Sequence, residues 1–196
     1  MRHVFVALAV VIAVSGTAYA RPEWSDPVKG ITLTCGFLDP HYIRTPCRSN
    51  GRLDPEKTWR QHLGSDFRAP AGATVFAPVT GTIVLFDAAP GKAADLAYLV
   101  IRDAQTNEEH VIGHISSNLR LGAKVAKGKP IGQVRDQGSN THVHWGFNLG
   151  SVERAARHVT RCKRDGRLQN CKWGWGKAPY EATEREVRAQ GWRNVL

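Results

Sequence analysis

Phe67-Arg-Ala-Pro70-Ala-Gly72-Ala-Thr-Val-Phe-Ala77-Pro78-Val-Thr-Gly81-Thr-Ile-Val-Leu-Phe86 is the stretch that decides the fold. It holds two short runs rich in β-branched and aromatic residues, Ala73 to Ala77 and Gly81 to Phe86, with proline and glycine between and before them. Such runs bounded by turn formers read as strands. Ala97 to Arg102 and His110 to His114 continue the pattern, and Pro90-Gly91, Gly122, Gly128 and Gly138 punctuate it. Closely spaced glycines from Leu121 to Gly132 predict tight turns around Val125 and Ile131. Nothing between Phe67 and Phe147 sustains a 3.6-residue apolar period, which excludes a helical core. The expected fold is mainly β, an antiparallel β-sheet protein built as a sandwich or partly open barrel, with short helical terminal extensions.

Outward from this region the text changes. Arg2 and His3 precede an apolar run from Val4 to Val14, and Ala18-Tyr19-Ala20 supplies a small-x-small cleavage site. Residues 1–20 therefore read as a secretory signal peptide, too short to anchor in a bilayer. No cysteine follows the cleavage point for lipid attachment, and no later run approaches the roughly 20 apolar residues of a membrane span. The expected product is exported, with a periplasmic destination favoured over an extracellular one. Residues 21–61 form an N-terminal extension, 62–150 the core, and 151–196 a C-terminal extension. The last contains Trp173-Gly-Trp175-Gly, read as a packed anchor with an inhibitory lid as the rival, and a helix from about Tyr180 to Gln190. Pro179 is placed at the first turn of that helix and Gly191 at its stop.

Four cysteines enter an oxidising compartment, and short loops cost least to close. Of the three possible pairings, that favours Cys35 with Cys47 and Cys162 with Cys171. The absence of a C-x₂-C pair argues against a cysteine zinc site. The formal charge of the 196-residue chain is +10, and loss of the leader removes only Arg2. A basic surface concentrates anionic partners. For an exported protein these are the anionic polymers and lipid heads of a bacterial envelope, and nucleic acid is excluded as a partner. The chain is read as a monomer.

The chemistry sits in His62-Leu-Gly-Ser-Asp66 and His142-Val-His144. Two His and one Asp supply three ligands for a single Zn²⁺ with a position left for water, as in catalytic zinc sites. Residues i and i+2 of a strand share a face, so His142 and His144 both reach one site, and whether both bind metal stays open. His114 lies in Val111-Ile-Gly-His-Ile-Ser116. His110 is assigned to the surface or the groove rim, and His41 and His158 to solvated positions in the extensions.

The motif His62-x-Gly64-x-Asp66-Phe67-x-Ala69-Pro70-x-Gly72 is followed by Ala77-Pro78-x-x-Gly81, then Gly113-His114-Ile115-Ser116 and His142-x-His144-Trp145. In this order the motifs resemble the lysostaphin-type, or M23, peptidases, over residues His62 to Phe147. The resemblance implies an antiparallel β-sheet groove, zinc bound by His62, Asp66 and His144, and two catalytic histidines that are not ligands, His114 and His142. It implies cleavage of peptide bonds in bacterial peptidoglycan. The turn Gly138-Ser-Asn-Thr-His142 is shorter than the family's, and Ala88 to Asp95 replaces its Gly-Asn-rich link. These departures bear on groove shape and leave all five positions filled. The leading expectation is a zinc endopeptidase acting on cross-links or stem peptides. The alternatives are a catalytically silent peptidoglycan-binding or hydrolase-activating member, and a secreted zinc protease of Gly-rich proteins.

Overall fold

A computed structural model describes residues 24–29, 33–38, 60–87, 97–164, 166–179 and 181–196. The expected leader, His41, Cys47 and Tyr180 lie outside the described residues. In chain order the elements are β1 Leu33–Cys35, β2 Arg60–His62, β3 Gly64–Arg68, β4 Thr74–Phe76, β5 Gly81–Asp87 and β6 Tyr98–Asp103. They continue with β7 Glu109–Gly113, β8 Ile115–Ser116, β9 Lys124–Val125, β10 Pro130–Val134, β11 His142–Asn148 and α1 Val152–Ala156. The chain then forms β12 Val159–Arg164, β13 Arg167–Lys172, β14 Lys177–Pro179, α2 Glu184–Ala189 and β15 Trp192–Arg193.

All strand pairs are antiparallel. The main sheet runs β1-β3-β11-β7-β6-β5-β9, with β15 on the far end of β11. A three-stranded sheet, β4-β10-β8, covers one of its faces. Among the described residues the architecture is mainly antiparallel β with two short α-helices and no closed barrel, as the sequence led us to expect.

Alternation along the strands sorts residues between two cores. Phe67, Ile83, Leu99, Ile101, Ile112, Val143, Trp145 and Phe147 meet Val75, Ala77, Ile131 and Val134 of the small sheet. On the opposite face, Tyr98, Val100 and Val111 join Leu63 and residues of the C-terminal segment, Val152, Ala155, Trp173, Ala178, Val187 and Trp192. The C-terminal segment thus supplies half of a core to the sheet's second face. Trp192 is completely buried there, and each such large side chain contributes on the order of 2–3 kcal/mol. Glu109 fastens the segment: its Oε1 pairs with Arg102 at 2.7 Å, and its Oε2 accepts from the Val152 N–H at the start of α1 at 2.7 Å.

Cys162 and Cys171 form the expected disulfide, across the hairpin β12-β13. Cys35 is also disulfide-bonded. The terminal helix departs from expectation, because Pro179 ends strand β14 and the helix covers only Glu184–Ala189. The start is set by Thr183, whose hydroxyl accepts from the Glu186 N–H at 3.2 Å, so a capping residue outweighed proline as the start signal. His158 is not simply solvated: its Nε2 lies 2.8 Å from Glu186 Oε1, and its ring meets Trp173 edge-on at 5.0 Å.

His110 also departs from expectation. It is wholly buried, packed against Trp24 and Phe147 at 4.9 and 5.1 Å, and its Nδ1 accepts from the Trp145 indole N–H at 3.1 Å. Strand period 2 puts it with Ile112 on the core face of β7, away from the groove. Burial pushes its pKa down to about 3. The native state therefore holds His110 neutral while the unfolded chain takes up a proton below about pH 6.5. Its contribution is full above that pH and is lost as pH falls toward 3, at up to about 1.4 kcal/mol per pH unit. Urea unfolding at pH 7, 5.5 and 4 is expected to show a steeper acid loss for the native chain than for His110→Gln. Equal slopes would assign the acid sensitivity to other groups.

Candidate metal centre

The site forms where β3 and β11 run side by side. Their register sets His144 opposite Asp66, His142 opposite Arg68 and Gly146 opposite Gly64. By alternation, Asp66, His142 and His144 project from the face that does not carry Phe67, Val143 and Trp145. His62 comes from β2, and a single residue, Leu63, separates the two strands.

Three ligand-type atoms converge. His62 Nε2 lies 3.0 Å from Asp66 Oδ1 and 2.9 Å from His144 Nδ1, and His144 Nδ1 lies 3.0 Å from Asp66 Oδ1. All three residues are buried, and together they are a group that could hold a metal ion. The ring environments fix which nitrogen is offered. His62 Nδ1 is 2.8 Å from the Gly36 carbonyl, which holds the proton there and leaves the Nε2 lone pair facing the centre. His144 turns Nδ1 inward, while its Nε2 is buried without a hydrogen-bond partner among the described residues. Burial lowers the His144 pKa to about 4, so the ring is neutral and Nδ1 is available. Burial alone would raise the Asp66 pKa, but His62, the His144 hydrogen bond and His142 hold it well below the usual carboxylate range. Two ring nitrogens and a carboxylate oxygen this close share at most a proton or two by themselves. One divalent cation satisfies all three, and an N₂O set of this kind suits zinc.

The glycine of His62-x-Gly64-x-Asp66 has a steric role. A Cβ at Gly64 would stand 2.6 Å from the Trp145 carbonyl oxygen and 2.7 Å from the His144 ring. Any larger residue would force either the β3–β11 pairing or the His144 ring to shift.

His114 and His142 stand next to this cluster. Their ring centroids are 4.4 Å apart, and His142 Nε2 is 3.4 Å from Asp66 Oδ2. His142 Nδ1 faces the Asn140 carbonyl at 2.5 Å, which accepts a hydrogen bond from that nitrogen and leaves Nε2 turned toward Asp66. His114 reaches the groove by an unusual route. Simple alternation after Ile112 would send it into the core, but its φ of 63° turns the side chain back toward His142. Left-handed backbone at a non-glycine residue is costly and concentrates at functional sites. Its amide N–H donates to the Ala97 carbonyl at 2.7 Å, and its own carbonyl accepts from Arg135 N–H at 2.9 Å. Burial, then the neighbouring His142, His144 and Lys177, hold the His114 pKa well below its ordinary value. His114 Nδ1 is buried and has no partner among the described residues.

All five residues singled out in the sequence are therefore in one place, and His110 and His158 are elsewhere. Several neighbours carried no sequence signal. Tyr98, hidden in an apolar strand run, lies 5.8 Å from the His114 ring and 6.4 Å from the His144 ring. The Gly36 and Asn140 carbonyls orient rings through backbone atoms, which residue type does not reveal.

The sequence profile described as "Peptidase family M23" matches residues 60–156. No curated protein matches the chain. Similar solved structures include a zinc-containing peptidase from Vibrio cholerae, 24% identical over 64% of this chain and 36% of that one, with a TM-score of 0.45. The lysostaphin catalytic domain from Staphylococcus simulans is 23% identical over 46% of this chain and 69% of that one, with a TM-score of 0.40. The catalytic domain of the prophage-encoded M23 protein EnpA from Enterococcus faecalis is 21% identical over 63% and 84%, with a TM-score of 0.45. This chain spans about a third of the length of the Vibrio protein. By the match over residues 60–156, the chain belongs to peptidase family M23.

Proposed function

We propose that this chain is an exported zinc-dependent endopeptidase that hydrolyses peptide bonds in the cross-links or stem peptides of bacterial peptidoglycan. The observation that carries this reading is the convergence of His62 Nε2, Asp66 Oδ1 and His144 Nδ1 on one point beside two further histidines. His62, Asp66 and His144 would hold the ion, and a bound Zn²⁺ supplies Lewis acidity toward water and the scissile carbonyl.

The remaining steps belong to the protein's own groups. His142 offers its Nε2 lone pair at the mouth of the cluster, the position from which a side chain removes a proton from an attacking water. His114, kept neutral by burial, stands against it and can share that proton or donate to the departing amine. The left-handed turn at His114 and the Asn140 carbonyl hold both rings in place before substrate arrives, so little reorganisation is left for the reaction. The basic surface, +10 over the whole chain, holds the enzyme near an anionic envelope.

The test is digestion of isolated sacculi by the zinc-loaded protein, with and without a chelator, and resolution of the muropeptides by mass. Loss of cross-linked dimers that stops with chelator is expected. Unchanged sacculi with the metal fully loaded would sink the enzyme and leave a silent binding member.

A further inference from the structure

The Trp173-Gly-Trp175-Gly-Lys177 segment is anchored in the second core by Trp173 and also runs beside the metal cluster. Strand β14 pairs antiparallel with β2, and Lys177 stands directly opposite His62. Residues opposed in this way project from the same face of the ribbon. His62 turns into the metal cluster, so the Lys177 side chain rises beside it, while its neighbour Ala178 turns into the core. The preceding turn presses on the site as well. The Leu63 N–H donates to the Gly176 carbonyl at 2.9 Å, and Gly176 lies so close to the His144 ring that a side chain there would collide with it. On the other side of the turn, the Trp175 ring packs at 6.2 Å against Tyr98, which itself contacts His114 and His144.

Lys177 is partly exposed, and its ammonium makes no hydrogen bond or ion pair among the described residues. It is close enough to lower the proton affinity of His114 and His144 electrostatically. An ammonium on a groove wall, without an internal partner and next to a partly exposed indole, is built to receive an anion carried by an otherwise apolar ligand.

We propose that Lys177 and Trp175 form a substrate subsite for a peptide bearing a free carboxylate close to the bond to be cut. Lys177 pairs with the carboxylate, and Trp175 covers the adjoining aliphatic and backbone atoms. A lysine side chain spans about two residues of extended peptide at ~3.3 Å per residue, so the carboxylate lies within one or two residues of the scissile bond. The inference rests on the peptidase reading and adds to it the charge of the favoured substrate.

The test is equilibrium binding rather than turnover. An N-acetylated alanine tripeptide is titrated as its free acid and as its C-terminal carboxamide into zinc-loaded native protein, Lys177→Gln and Lys177→Arg. The native chain is expected to prefer the acid by roughly tenfold or more, the range of a charge-assisted pair. That preference is expected to persist in Lys177→Arg and collapse in Lys177→Gln, with zinc content and melting temperature unchanged. Equal binding of acid and amide by the native chain, or a preference undiminished in Lys177→Gln, would overturn the subsite. Failure to digest sacculi with this preference intact would count against the peptidase reading alone.

Discussion

Replacing His144 by alanine is expected to abolish metal binding and peptide cleavage together. The ring supplies one of three ligands from a fully buried position, and its Nδ1 stands 2.9 Å from His62 Nε2 and 3.0 Å from Asp66 Oδ1. Without it, two ligands remain, too few to hold zinc in a tetrahedral protein site. A bound metal contributes several kcal/mol of transition-state stabilisation, and each 1.36 kcal/mol is tenfold in rate. Cleavage of cross-linked muropeptides should thus fall on the order of 10³-fold or more, with less than stoichiometric zinc by elemental analysis. Asp66→Ala should do the same, and it also removes the carboxylate beside which His62, His142 and His144 all stand. Zinc retained at one per chain in His144→Ala would show that the centre lies elsewhere.

The opposite result is expected for His114→Ala and His142→Ala. Neither ring is needed to hold the ion, so zinc should remain at one per chain. Turnover should fall by roughly 10²- to 10⁴-fold, the usual contribution of a positioned general acid or base. His114 adds a second signature. It is buried, its Nδ1 lacks a partner among the described residues, and its backbone is left-handed at φ 63°. Each of these features costs stability. His114→Gly, which removes the ring and relaxes the backbone, should therefore lose activity without losing melting temperature. A marked drop in melting temperature would mean that His114 is structural.

The strands were legible in the sequence because β-branched runs separated by proline and glycine leave few alternatives, and because glycine reports local sterics. Gly64 is the clearest case: its place in the first motif follows from a His144 ring that leaves no room for a Cβ. The candidate site was legible as a residue set, but its geometry was not. Strict alternation puts His114 on the same face as His110, and the structure separates them because the backbone reverses hand at His114. Residue type alone does not announce that reversal: histidine is enriched in left-handed backbone over most residues, yet few histidines adopt it. His110 was misplaced for the converse reason. A polar residue reads as exposed, yet its Nδ1 is satisfied by Trp145 and the rest of its ring is treated as an aromatic among Trp24 and Phe147.

The C-terminal segment shows where local reading stops. Trp173 is an anchor in the second core with Trp175 packed against it, as expected of the Trp173-Gly-Trp175 stretch, and Trp192 joins them there. That β14 pairs with β2, and so carries Lys177 to His62, depends on contacts across more than a hundred residues of chain. Neither strand has a composition that specifies its partner. The three-residue β14 and β2 are too short to carry a period, and their pairing is fixed by the cores on either side.

Anomalous X-ray scattering at the zinc edge, from crystals of the native chain grown with one equivalent of zinc, tests the central claim most directly. The account predicts a single peak at bonding distance, about 2.0–2.2 Å, from His62 Nε2, Asp66 Oδ1 and His144 Nδ1, with His114 and His142 outside that shell. A peak bonded to His114 or His142, or no peak between β2, β3 and β11, would contradict it.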